Sequence, residues 1–342
     1  MMRAILLAVL AIAAAACVTA QDEPTNVHDL RVLGMRFEPP EVMIKGCNAQ
    51  LLLAAAGSFD GGTSIELPPQ LALSFFAAAA TPLEFSTLVA DPAGNGRNLD
   101  YRVLACANRS DRDCNDQGKY VELARGSRPA GEWKLRVMPG TQVLDDGNDA
   151  GFPLPDGGTG SLLLLEVIQE DTFKGLGGVR VPIVLEVSAP DTGEKIFAQK
   201  LMVYSCQFFP QMKQNVTPIL PGIRFKDEPW PEDEVKEVSG KGEVALSPED
   251  FSSLQEPYVV PSIELKPYDL VESWKITWMT TSGTMTAYNT GGTDFVGNEG
   301  RHNSRWKPDQ KATEPQDVTL YFVVRDGRGG QSWTTRRLRW SP

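Results

Sequence analysis

The stretch Val318–Trp340, VTLYFVVRDGRGGQSWTTRRLRW, decides the fold. Val318, Leu320, Phe322 and Val324 alternate with Thr319, Tyr321, Val323 and Arg325, the period-2 pattern of a strand with one favoured face. Asp326–Gly330 supplies residues that tolerate positive φ, and Trp333–Trp340 brings the chain back, so the stretch reads as a β-hairpin. The same layout recurs without a gap in Val181–Val203, VPIVLEVSAPDTGEKIFAQKLMV. There Val181, Ile183, Leu185 and Val187 take the inward places, Gly193 aligns with Gly330, and Leu201 aligns with Leu338. Two similar hairpins predict two similar β domains.

Two further echoes keep the same order along the chain. Gly34-Met-Arg-Phe37 matches Gly222-Ile-Arg-Phe225, each near the start of a domain that its hairpin ends. Between them, Leu99-Asp-Tyr-Arg-Val-Leu104 corresponds to Glu272–Trp278, where Trp274, Ile276 and Trp278 share one strand face. The expected class is all-β, with two Ig-like β-sandwich domains in tandem and the first enlarged by loop insertions. Domain 1 is expected over 30–206, with a loop-rich insertion at 108–160 interrupted by strand-like pieces near Tyr120–Leu123 and Trp133–Val137. A linker covers 207–217, where Phe208 and Phe209 are apolar enough to imply contact between the domains, and domain 2 covers 218–342. The acidic stretch Glu228–Glu237, with Trp230 in it, reads as an exposed loop, and Glu256–Pro261 as an edge strand or extended loop bracketed by prolines. A helical turn is plausible only around Ala77–Ala80.

Length and charge narrow the class. A chain of 342 residues exceeds what one core usually holds. Its net charge of −11 offers no basic groove for a nucleic-acid backbone. The start reads as a targeting segment over 1–20: Arg3 gives a positive end, and Ala4–Ala16 is an apolar run too short to span a bilayer. Ala14-Ala15-Ala16-Cys17 is similar to a bacterial lipobox, which makes Cys17 the candidate lipidated residue; Ala14 stands where Leu is usual. Cleavage before Gln21 is the alternative. Residues 21–29 then read as a polar tether. With Cys17 set aside, four of the five cysteines remain, an even number suited to an oxidising compartment. The expected pairs are Cys106 with Cys114, closing a short loop, and Cys47 with Cys206, although other connectivities remain open. A zinc site is disfavoured because no His stands near these cysteines.

The segment Leu320–Trp333 resembles the last hairpin of PKD-like and cadherin-like modules, Ig-fold sandwiches in which an Asp-Gly turn links the final strands. Asp91-Pro-Ala-Gly94 followed by Leu99-Asp-Tyr-Arg102 resembles the Asp-Pro-x-Gly turn and following strand of the same modules, and Ser58–Gly62 suits a similar turn. With the lipobox-like start, the whole resembles bacterial surface lipoproteins carrying tandem domains of this kind. The resemblance implies a cell-envelope location, outer-membrane anchoring through the N-terminal lipid, and a structural, adhesive or assembly role toward a protein or glycan partner.

Catalytic machinery is scarce. His28 and His302 are the only histidines, and both read as solvated. No Gly-x-Ser-x-Gly elbow, HExxH or phosphate-binding loop occurs, so the expectation is a non-enzyme without a cofactor. Asp145, Asp146, Asn148, Asp149 and Asp156 offer oxygen ligands among glycines and form the one candidate calcium cluster, against a solvated acidic loop. Arg336, Arg337 and Arg339 make a basic patch, expected on an exposed edge strand. A carbohydrate-binding or carbohydrate-active module is the alternative. It requires Trp230, Trp274, Trp278 and Trp306 to line an open groove, whereas a sandwich core would bury them.

Overall fold

The computed structural model describes residues 24–45, 81–108, 113–114, 120–139, 143–144, 152–153, 159–163, 166–167, 178–262, 266–292 and 302–342. Its first domain is a sandwich of strands β1 (Arg31–Glu38), β2 (Glu41–Ile44), β3 (Leu83–Ala90), β4 (Asn98–Cys106), β5 (Tyr120–Pro129), β6 (Gly131–Val137), β7 (Val179–Ala189) and β8 (Glu194–Cys206). One sheet has the order β1-β3-β6 and the other β2-β8-β7-β4-β5. Pro39-Pro40 separates β1 from β2, and there the chain crosses from one sheet to the other because proline cannot donate to a continuing ladder. After the crossing, β2 runs parallel to β8, with Ile44 paired to Cys206. A first strand shared between two otherwise antiparallel sheets is Ig-like architecture.

The second domain repeats the plan. Strands β9 (Ile223–Phe225), β10 (Glu228–Trp230), β11 (Val235–Ser239) and β12 (Val244–Pro248) are followed by a separate hairpin of β13 (Pro257–Pro261) and β14 (Pro267–Val271). Then come β15 (Lys275–Thr280), β16 (Thr284–Met285), β17 (Asn289–Gly291), β18 (Ser304–Lys307), β19 (Gln316–Arg325) and β20 (Gln331–Ser341). The sheets are β10-β9-β12-β18-β16 and β11-β20-β19-β15-β17, and β11 runs parallel to β20 as β2 does to β8. The all-β, twice-used sandwich expected from the hairpins is what the chain forms. Phe37 and Phe225 occupy the opening strands, and the Leu99–Leu104 and Lys275–Thr280 segments form the equivalent central strands β4 and β15.

The hairpin alignment slips by one residue. Val181 pairs with Met202, whereas Val318 pairs with Leu338. Met202 therefore takes the inward place, fully buried, and Leu201 does not. The turn after β7 leaves a different number of residues unpaired from the turn after β19. A one-residue difference sends a side chain to the opposite face.

Other expectations change with the tertiary structure. Tyr120–Pro129 and Gly131–Val137 are strands of the sandwich itself, and Trp133 is buried in its core, so the 108–160 insertion is shorter than its composition suggests. Glu228–Glu237 is not a free loop: β10 and β11 run through it and Trp230 is buried against Phe225. The final strand is not an edge, because β11 covers it. Arg336 is buried, while Arg337 and Arg339 are exposed, Arg339 against Asp317 at 3.0 Å. Glu256–Pro261 is extended as expected, but its partner is β14. Ser58–Gly62 and Ala77–Ala80 lie outside the described residues.

The described part of the 21–29 tether is structural. Thr25, Asn26 and Val27 are buried, and Asn26 forms a parallel bridge with Thr280 of domain 2. The Val27 amide donates to the Thr280 carbonyl at 2.8 Å and the Thr280 amide to the Thr25 carbonyl at 2.8 Å. Asn26 Nδ2 donates to the Gly283 carbonyl at 2.8 Å. The segment leads into β1 of domain 1 while paired to domain 2, which ties the two together. The polar groups of Thr25 and Asn26 bond to domain 2 backbone, while His28 and Asp29 face solvent.

The domains meet face to face. Leu33, Leu88 and Ala90 from the outer face of β1 and β3 pack with Val27 on Met279 and Val323 from the outer face of β15 and β19. Val323 and Phe322 are adjacent and both fully buried, because one faces the seam and the other the core. At the seam, the Arg36 guanidinium lies 4.7 Å from the Trp333 ring centroid. Gly34 leaves room for that ring: a Cβ there would lie 2.7 Å from Trp333 Cε3.

Candidate functional site: the inter-domain cleft

Where the seam opens, β1 and β8 of domain 1, the connector after Cys206, the β13 strand and the β19–β20 turn enclose a cleft of about 800 Å³. That volume is in the range of small-molecule sites. Its frame is the turn Asp326–Gly330. Asp326 Oδ1 accepts from the Arg328 amide at 2.7 Å and the Gly330 amide at 2.9 Å, which explains an Asp at the head of a glycine turn. Oδ2 takes a third bond, from Asn215 Nδ2 at 2.7 Å. Gly330 is obligatory here, since a Cβ would lie 2.0 Å from Asp326 Oδ2.

Arg328 does more than occupy a turn. Its guanidinium bonds Glu272 at 3.2 Å and lies 3.5 Å from Glu41. It donates to the Lys213 carbonyl at 3.0 Å and sits 4.3 Å from the Tyr258 ring centroid. Glu41 in turn accepts from Ser205 Oγ and from the Asn215 amide at 2.8 Å. Domain 1, the connector and two parts of domain 2 are thus joined through one side chain. The connector 207–217 is packed accordingly: Asn215 is fully buried and Phe208 rests on the domain 1 core. Sequence reading assigns Asp326 and Arg328 to the turn alone. The turn explains Asp326, but nothing local to the motif reveals the distant carboxylates that Arg328 meets.

The cleft also holds cations. Lys200 Nζ donates to the Gly329 carbonyl, and burial pushes its pKa down to about 8, with Asp326 raising it and Arg325 lowering it to lesser degrees. Arg325 donates to Thr277 Oγ1 at 2.8 Å, and burial likewise disfavours its charge. With the Gln331 amide oriented to satisfy its neighbours, its oxygen accepts from Arg325 Nη2 at 3.3 Å. Met43, Phe208, Met212, Tyr258 and Val260 supply apolar wall.

The remaining sequence candidates disperse. Cys106 and Cys114 form the expected disulfide. Cys206 is also disulfide-bonded, and Cys47, its expected partner, lies outside the described residues, as does Cys17. The calcium candidates Asp145, Asp146, Asn148, Asp149 and Asp156 lie outside them too. Among the described residues no group of three or more His, Cys, Asp or Glu is arranged to hold a metal ion. His28 is exposed, but His302 is not simply solvated: it stacks edge-on against Phe251 at 4.7 Å, and burial lowers its pKa. Trp230, Trp274, Trp278 and Trp306 are all buried in the domain 2 core, so the stacking groove required by the carbohydrate reading is not formed by them.

No family model matches the chain, and no curated protein matches it. Among solved structures it is similar to dimeric latent PorU from Porphyromonas gingivalis, at 10% identity over 92% of this chain and 24% of that one, with a TM-score of 0.20. It is similar also to the two tandem V-type regions of VCBP3, a v-region-containing chitin binding protein, at 10% identity over 90% and 99% of the two chains and a TM-score of 0.24. A third is the N-terminal Ig1-2 module of the Drosophila receptor protein tyrosine phosphatase DLAR, at 8% identity over 92% and 100%, with a TM-score of 0.20. The chain spans only 24% of the PorU chain. These likenesses concern the fold alone.

Proposed function

We propose that this chain is an exported cell-envelope protein, lipid-anchored at Cys17, with a structural or binding role toward a protein or glycan partner and no catalytic one. The observation that carries the reading is the pair of Ig-like sandwiches joined into one body by the N-terminal segment, the apolar seam and Arg328. Such a body presents fixed surfaces at low conformational cost on binding. The lipobox-like Ala14–Cys17 and the cysteine usage support export to an oxidising compartment. Affinity purification of the full chain from its native envelope in mild detergent, with mass spectrometry of the N-terminus, tests both parts. A stoichiometric partner and an acylated Cys17 are expected. An unmodified chain beginning at Gln21 overturns the anchor, and recovery of the chain alone overturns the partner role.

A further inference from the structure

We propose that the inter-domain cleft is a binding site for a small amphipathic anion, a carboxylate or phosphate ester carrying an apolar body, with Lys200 and Arg325 holding the anionic head. The inference is independent of the partner role proposed above.

The internal repeat supplies the main argument. Lys200 pairs with Ile183 in β7–β8, and Arg336 pairs with Leu320 in β19–β20. Ile183 and Leu320 are both fully buried, and directly paired residues point to the same face of a sheet. Both domains therefore place a cation on the inner face of the last strand, near the open side of the sandwich. In domain 2 that cation is fully engaged. Arg336 donates to the carbonyls of Trp230 at 2.6 Å and Thr335 at 2.8 Å and to Thr334 Oγ1 at 2.6 Å, with Glu232 at 3.5 Å. In domain 1, Lys200 has three donors and a hydrogen bond to the Gly329 carbonyl, and no carboxylate within ion-pair distance among the described residues.

Among the described residues Arg325 is likewise bonded to neutral acceptors only. Leaving cations half-buried without an ion-paired carboxylate is costly, and more notable in a chain of net charge −11. The other charges around the cleft do not resolve it. Asp326 is engaged by Asn215 and two turn amides, Glu41 faces Arg328, and Arg180 and Lys213 add positive charge. Burial lowers the Lys200 pKa, and an anion seated beside it would favour the protonated amine again. Apolar wall from Met43, Phe208, Met212 and Val260 accounts for the body of the ligand.

The test uses the full mature chain and three probes of equal length: octanoate, octyl phosphate and octanol. Isothermal titration near neutral pH should give binding of both anions, with octanol about tenfold weaker or worse, since it lacks the charge-assisted bonds. Lys200→Met should lose about tenfold in octanoate affinity, while Lys200→Arg should keep it. Raising the pH above about 9 should weaken octanoate binding to the native chain but not to the Lys200→Arg variant. Thermal unfolding checks that each variant is folded. Octanol binding as well as octanoate, or Lys200→Met binding unchanged, would overturn the proposal.

Discussion

Replacing Arg328 with Met should loosen the whole molecule, because the side chain it removes is the one common to four segments. The aliphatic stem is preserved, and the guanidinium is lost. Glu272 and Glu41 then remain with side-chain exposures of 3% and 12% and no cation in place. Orphaning a buried ionic partner typically costs about 3–5 kcal/mol, and loss of the Tyr258 ring contact adds to it. For a chain of this size the melting temperature should fall by roughly 10 °C. Calorimetry gives the magnitude, and small-angle scattering reports whether the domains separate. The diagnostic is a double-mutant cycle with Glu272→Gln. Glutamine can still accept from Trp274 Nε1 at 2.9 Å and the Glu256 amide at 3.2 Å while carrying no charge. The double variant should therefore be more stable than the sum of the singles by about 1–3 kcal/mol. Strict additivity, or a loss under about 1 kcal/mol for Arg328→Met alone, would refute the reasoning.

Three further outcomes follow from other parts of the seam. Lys200 has a folded-state pKa near 8, below its ordinary 10.5, so between those values the unfolded chain holds a proton that the folded chain has released. Stability should therefore rise from pH 8 to 10.5, and Lys200→Met should stabilise the protein by up to about 3 kcal/mol at neutral pH and flatten that rise, as read by denaturant titration at several pH values. Gly34→Val should force Trp333 out of the seam and cost about 1–3 kcal/mol, visible as a change in tryptophan fluorescence; an unchanged spectrum and midpoint would show that the ring does not rest on Gly34. Deleting residues 1–27 should remove the pairing to Thr280 and expose Met279 and Val323, raising amide exchange along β15 and β19 while the core of domain 1 stays protected.

The twofold sandwich was legible from alternation and turn chemistry. Strand patterns at Val181–Val187 and Val318–Val324 require only local sterics and a buried face, and glycine-rich turns close them whatever lies beyond. Strands apolar on both faces were also present to be read: Phe322 beside Val323, and Leu88 beside Val89, signal a second buried surface. Reading one favoured face at Val318–Val324 hid the side of that strand that faces domain 1. Trp274 and Trp278 were legible as core because bulky residues at alternate strand positions need a dry layer, whereas Trp230, read within an exposed acidic loop, is buried only through its packing on Phe225.

What sequence alone determined here is therefore the periodic part: the strand patterns, their order, the paired Cys106 and Cys114, and the repetition of one fold. Tertiary structure decided the rest. It set the one-residue register difference that puts Met202 inside and aligns Lys200 with Arg336. It turned the stretch Thr25–Val27 into a hydrogen-bonded bridge onto Thr280 of domain 2, and it made Arg328 a junction rather than a turn residue. The physical reason is that these outcomes depend on partners far away in the chain. Glu41 and Arg328 are brought together by the packing of two sandwiches, and no local pattern encodes the distance between them.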